Sequence, residues 1–254
     1  MAAVSCLLVL GALAITLISS PGWETVKKTF FDIEYGKEVF PTVIRGLWIN
    51  LQLTIIGGAA IGAIALGLAL VRITKSPALT PFRILATAYV DIFRGAPLIL
   101  IILLVGFGVP ALGLKGVTSN VIFLGTVAVV LTYSAYVAEV IRSGILSIHP
   151  SQRAAARSLG LTSGQTMRFV VLPQAIRRVV PPLLNDFVSL LKDTGLVSIL
   201  GVTDAVRAAQ TNASRTFNYT PYVVAALLFL LITIPLTRSE EHTSELQSHS
   251  DLVC

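Results

Sequence analysis

Apolar residues along this chain fall in long blocks separated by short polar links, a pattern too blocky for an ordinary soluble domain. A transmembrane helix needs about 20 mostly apolar residues, and the blocks supply several such windows. The first, residues 2–18, lacks the basic start of a signal peptide, so a retained helix is expected within an amino-terminal unit 1–22, although Ser19 and Ser20 resemble cleavage-site residues. Residues 23–46 mix acids and bases evenly and predict an extracytoplasmic loop or interfacial helix. Further spans are predicted over 47–71, 84–109, 119–141, 183–201 and 222–236, giving about six helices with both termini cytoplasmic. Gly58 and Gly62 in the second span form a GxxxG pair suited to close helix packing, internal or dimeric. The fifth window is the weakest, because Asp186, Lys192 and Asp193 interrupt it.

Composition changes the solvent, not the pattern. The chain is 54% hydrophobic and 13% charged with mean hydropathy +0.82, so it is read as an all-α protein folded in lipid. A net charge of +6 records membrane orientation here and implies no nucleic acid partner. Cys6 and Cys254 lie at opposite ends, and His149, His242 and His249 lack ligand spacing, so neither a disulfide nor a metal site is expected.

Between Val140 and Asn185 there is no Asp or Glu, while Arg142, Arg153, Arg157, Arg168, Arg177 and Arg178 all occur. The positive-inside bias puts this loop in the cytoplasm, together with the link carrying Arg72, Lys75 and Arg83. Pro150 can open a helix over 151–159, Gly160 can stop it, and a second short helix over 165–172 should be limited by Pro173. Such a helix, turn and helix could in principle meet DNA, but tethering to the bilayer at both ends argues against that. A docking surface fits better than a plain connector, which needs only a few residues. Residues 238–254, with Glu240, Glu241, Glu245 and Asp251 and no apolar periodicity, are read as a non-native tail.

The loop 142–180 resembles the EAA loop of ABC-importer permeases, in which Glu-Ala-Ala is followed by a spaced Gly and then an aliphatic residue, one residue and Leu-Pro. Ala155, Ala156, Gly160, Val170, Leu172 and Pro173 match that pattern, whereas Ala154 stands where the family has Glu. The resemblance extends through "YVDIFRGAPLILI", "YSAYVAEVIRSGILSI" and "NDFVSLLKDTGLVSILGV", which are similar to the polar amino acid subfamily, and covers roughly 46–236. It implies a type I importer permease core over 47–237, with five core helices plus one at the amino end. It also implies a second permease subunit, an extracytoplasmic solute-binding protein and residence in a bacterial plasma membrane. A separate ATPase would hold ATP and Mg, leaving this chain without a cofactor. Ala154, Ala155, Ala156, Arg157, Gly160, Leu172 and Pro173 are the implied coupling residues. No GxxxxGK[ST] stretch occurs, so nucleotide must bind another polypeptide.

Charged side chains inside a span usually face protein or a wet cavity. Asp91 and Arg94, three apart, are expected to pair on one helix face. Arg94 or Lys192 could meet a substrate carboxylate, and Glu139 or Asp193 an ammonium. Asp186 and Glu139 are placed near the cytoplasmic boundary, while Asn185, Ser134 and Thr132 offer neutral hydrogen bonds. No nucleophile and base are paired, so no catalytic residue is assigned. The other functional reading is an ion-gradient-driven secondary transporter, which would require inverted repeats.

Overall fold

The computed structural model describes residues 18–74 and 76–251, with side chains through 238, together with 5, 6, 9, 11, 12, 15 and 16. Ten residues of the amino-terminal unit 1–22, and Lys75, fall outside this set. A short amphipathic helix, α1 (Trp23–Phe30), precedes α2 (Ile33–Ile73), whose N-cap Asp32 accepts from the Tyr35 amide. Residues 33–45, expected within the loop or interfacial segment, are instead the first turns of the 41-residue α2. Pro41 does not interrupt it.

The third expected span is broken. α3 (Thr80–Gly95) and α4 (Leu98–Leu103), which leads through a π turn (Leu104–Gly108) to α5 (Val109–Ala111), are bent by 105°. Pro97 forces the preceding Ala96 out of the helical region, to φ −89° and ψ 137°, so the axis must turn there. Asn120 caps α6 (Val121–Leu146) by accepting from the Ile122 and Phe123 amides. α7 (Pro150–Ser158) and α8 (Ser163–Thr166) form the loop. A π turn at Met167–Val171 then runs straight into α9 (Leu172–Asp193).

Pro173 therefore does not limit a short second helix, contrary to expectation. It sits in the first turn of α9, where its missing N–H and fixed φ are tolerated. Because α9 begins at 172, the fifth crossing is shifted toward the loop: the helix ends at Asp193, and Thr194–Leu200 is a 3₁₀ turn. α10 (Ala205–Thr216) and α11 (Thr220–Asp251) complete the chain.

Among the described residues, three helices are long and apolar enough to span a membrane, or four if the bent α3–α4 pair counts as one. α9 falls outside that set because its polar face carries Gln174, Arg177, Arg178, Asn185 and Asp186.

The bundle is centred on α2 and α6, which pack more extensively than any other pair. Ala65 on α2 and Ala128, Ala135 and Ala138 on α6 are fully buried, and such small residues allow close helix approach. The GxxxG pair makes no such approach here. A Cβ at Gly62 would meet open space, and one at Gly58 only the tips of Leu190 and Phe187. The tight crossing lies one helix region earlier, at Gly46, where a Cβ would collide with the backbone of Asp204 and Ala205.

Gly46 leads to a buried polar cluster. Asn50 donates to Thr194 Oγ1 at 3.1 Å and to Asp204 Oδ2 at 3.0 Å, and accepts from the Ala205 amide at 3.1 Å. Asp204 also caps α10 by accepting from the Arg207 amide at 2.8 Å. Burial pushes the Asp204 carboxyl above its ordinary range, against the pull of these donors. All three side chains are fully inaccessible, so the cluster ties α2 to the 3₁₀ turn and to α10.

Candidate functional site

The basic loop is built by local capping. His149 caps α7 with Pro150 at its first position. Its far end closes as a Schellman turn: the Gly160 amide donates to Arg157 O and the Leu161 amide to Ala156 O. Gly160 holds φ +84°, which L side chains disfavour. Thr162 and Gln165 then form a reciprocal capping box that starts α8.

The space around Gly160 is open, so substitution there acts through the backbone and not through bulk. Gly160→Val should cost about 1–2 kcal/mol of left-handed strain, opening the turn roughly 5- to 30-fold more often. Limited tryptic digestion at exposed Arg157 should then be several-fold faster, while Gly160→Asn should cleave like the parent. Equal rates for all three proteins would contradict the strain argument.

Ala154 and Ala155 are exposed, Ala156 is buried, and Arg157 donates to Ser163 Oγ at 2.8 Å. Leu172 and Pro173 are exposed, and Leu159, at the tip of the turn, is 84% exposed. The underside is anchored: Ile145, Ile148, Val171 and Ala175 make a small core joining the ends of α6 and α9. Arg153 Nη2 donates to Ile145 O at 2.9 Å, and Arg178 Nη1 to Ser147 O at 2.7 Å, so two guanidiniums cap the carbonyl end of α6.

At the same end, Glu139 accepts from Arg72 Nη1 at 2.6 Å and from Arg142 Nη2 at 2.9 Å. The pair brings the end of α2 to the end of α6, so the two acid-poor links share one end of the bundle. It also occupies Glu139, which is not brought near Lys192 or Asp193. Asp91 and Arg94 are both exposed and share no ion pair among the described residues. Arg94 instead lies 5.8 Å from the Tyr136 ring centroid, and its carbonyl accepts from Tyr136 Oη at 3.2 Å. Asp91 lines a separate pocket with Arg72, Arg83 and Arg142.

The structure gathers a different polar group. Asp186, Ser189 and Asp193 recur on one face of α9, and with Thr132, Tyr133 and Tyr136 they line a cavity of about 220 Å³. Tyr133 Oη donates to Asp193 Oδ2 at 2.7 Å, whereas the buried Asp186 Oδ2 has no hydrogen-bond partner. An adjoining cavity of about 180 Å³ reaches Asp186 and Tyr133 from the Gly58 and Gly62 side. Lys192 is exposed and lines neither cavity.

Asp186 does not sit in the first turn of its helix, where its sequence position near the start of the expected span suggests it should. The earlier start of α9 moves it about four turns along that helix, into the bundle. Tyr133 is a site residue that sequence reasoning misses. A phenol among Thr132, Ser134 and Tyr136 in the middle of a span is its signal there.

Comparison with known proteins gives a consistent result. Residues 79–243 match the family described as binding-protein-dependent transport system inner membrane component. The chain is 34% identical over 198 residues to the arginine transport system permease protein ArtQ of Bacillus subtilis, covering 78% of this chain and 88% of that one. It is 34% identical over 207 residues to the glutamate transport system permease protein GluC of Corynebacterium glutamicum, covering 77% and 90%. The crystal structure of an amino acid ABC transporter with histidines superposes with a TM-score of 0.72 at 33% identity, covering 79% of this chain and 92% of that one.

Proposed function

The chain belongs to the binding-protein-dependent transport system inner membrane components, and from that premise we propose that it is the permease subunit of an ATP-driven importer of polar amino acids. It performs no covalent chemistry. A separate ATPase binds ATP and Mg, and an extracytoplasmic solute-binding protein delivers the substrate. Two permease subunits, identical or unlike, enclose the path in a bacterial plasma membrane, with the termini and the loop 142–180 cytoplasmic. Residues 47–237 form the working core, with an added helix before it.

The observation that carries this reading is the loop itself: a capped helix presenting Ala154, Ala155, Arg157 and the bare Leu159 outward, while its underside is fixed to α6. Leu159 gives that outward surface an apolar tip beside Arg157. Gly160, Leu172 and Pro173 set its shape, and Ala156 seats it. When the ATPases close, the displacement of this helix passes through α6 and α9 and alternates the access of the cavity between them.

Asp186 and Asp193 are suited to the ammonium of an amino acid, with Arg94, on the Tyr136 rim, toward its carboxylate. The test is uptake into vesicles holding this chain with its ATPase, its solute receptor and any second permease subunit. ATP-dependent uptake of a polar amino acid is expected. Asp193→Asn should weaken it about 10-fold or more, the equivalent of one charged hydrogen bond. Uptake driven by an ion gradient without the ATPase would overturn the proposal, and an unchanged Asp193→Asn would remove the cavity from it.

A further inference from the structure

Arg72 in the last turn of α2, Arg83 near the start of α3 and Arg142 near the end of α6 converge on one pocket of about 540 Å³. Two acids are close by, Glu139 between Arg72 and Arg142, and Asp91 in the pocket lining. Three guanidiniums against two carboxylates leave one positive charge uncompensated. The donor accounting agrees: Arg72 gives Glu139 only Nη1, and Arg142 gives it only Nε and Nη2. Arg83 is half-buried and makes no hydrogen bond or ion pair among the described residues. Its guanidinium thus lines the pocket without an acceptor, an arrangement that favours an anion.

The depth of the pocket says which anion. Its basic side chains lie in the terminal turns of membrane helices, where phospholipid headgroups lie, and basic pockets of this kind between helices bind anionic headgroups. On the opposite face of α3, Phe82 and Leu85 join Gly67, Leu68 and Val71 in an apolar groove of about 350 Å³. Phe82 is 59% and Leu85 67% exposed. Asp91 lies eight residues further along α3, about 12 Å deeper, and its charge confines an anion to the mouth of the pocket.

We propose that this pocket seats the headgroup phosphate of an anionic membrane phospholipid. The site is independent of substrate transport, so its test is binding. The full chain, purified in detergent, is titrated with phosphatidylglycerol or with phosphatidylcholine of the same acyl chains and read by native mass spectrometry. Phosphatidylglycerol should occupy the chain about tenfold more readily, Arg83→Gln should abolish that preference, and Arg83→Lys should keep part of it. Both should persist with inorganic phosphate in excess and in the assembled transporter. Equal binding of the two lipids, an unchanged preference in Arg83→Gln, or displacement by inorganic phosphate would overturn the proposal. So would loss of the adduct on assembly, which would assign this face to a partner subunit.

Discussion

Replacing Asn50 by Leu is expected to destabilise the folded chain by about 3–5 kcal/mol. The side chain is inaccessible and joins Thr194, Asp204 and the Ala205 amide through both ends of its carboxamide. Leucine removes two donors and an acceptor together, leaving the Asp204 carboxyl and the Ala205 amide short of partners where water does not reach. Gly46 packs directly against the same backbone, so the segment cannot relax toward α2 to compensate. Thr54→Val is the internal control. Thr54 is equally buried, but its hydroxyl donates only to the Asn50 carbonyl in its own helix, so the change should cost under about 1 kcal/mol. Unfolding of the two variants in detergent micelles separates the cases. Equal losses would mean that the cluster adds nothing beyond ordinary helix packing.

The second large effect is on coupling. Arg153→Met keeps the aliphatic stem but removes the guanidinium that caps Ile145 O, and should lower ATP-driven uptake about tenfold or more, as loss of a charged hydrogen bond to a helix end implies. Binding of the ATPase should stay close to that of the parent, because the outward surface at Ala154, Ala155 and Leu159 is untouched. Arg178→Gln, at an exposed position with Ser147 O as partner, should give a smaller loss. Co-purification with the ATPase combined with vesicle uptake checks both. Parallel loss of binding and uptake in Arg153→Met would show that Arg153 shapes the docking surface itself, not the link to α6.

The loop is legible in the sequence because its signals are local. Pro150 at a first turn and Gly160 at a helix stop each act within a few residues, and each appears where spacing predicts. Pro173 misleads for a related reason. Proline ends a helix that it enters from the interior, yet opens one at its first turn, and only the π turn before Leu172 distinguishes the two situations. That single difference moves the start of α9 and with it the depth of Asp186. The break at Pro97 has a sequence signal, the restriction proline places on its neighbour. The 84–109 window is long enough to read as one span, which conceals it.

Charged pairs are the least legible. Asp91 and Arg94 have the spacing of a helical pair, but α3 turns Asp91 toward the arginines of α2 and α6 and leaves Arg94 beside Tyr136. Glu139 has a local partner in Arg142, three residues on, but its second partner, Arg72, lies 67 residues away.

Composition and short-range spacing thus suffice for the lipid-soluble helical class, most of the apolar segments, the common side of the two basic links and the capped helix between them. Each of these depends on interactions a few residues long. Only the assembled bundle reveals that Asn50 meets Asp204, that Tyr133 meets Asp193, and that Glu139 belongs to the arginines, across separations of 154, 60 and up to 67 residues. A buried polar atom must find a partner somewhere, but which one it finds is fixed by the helix crossings, and those are set by packing of the whole bundle.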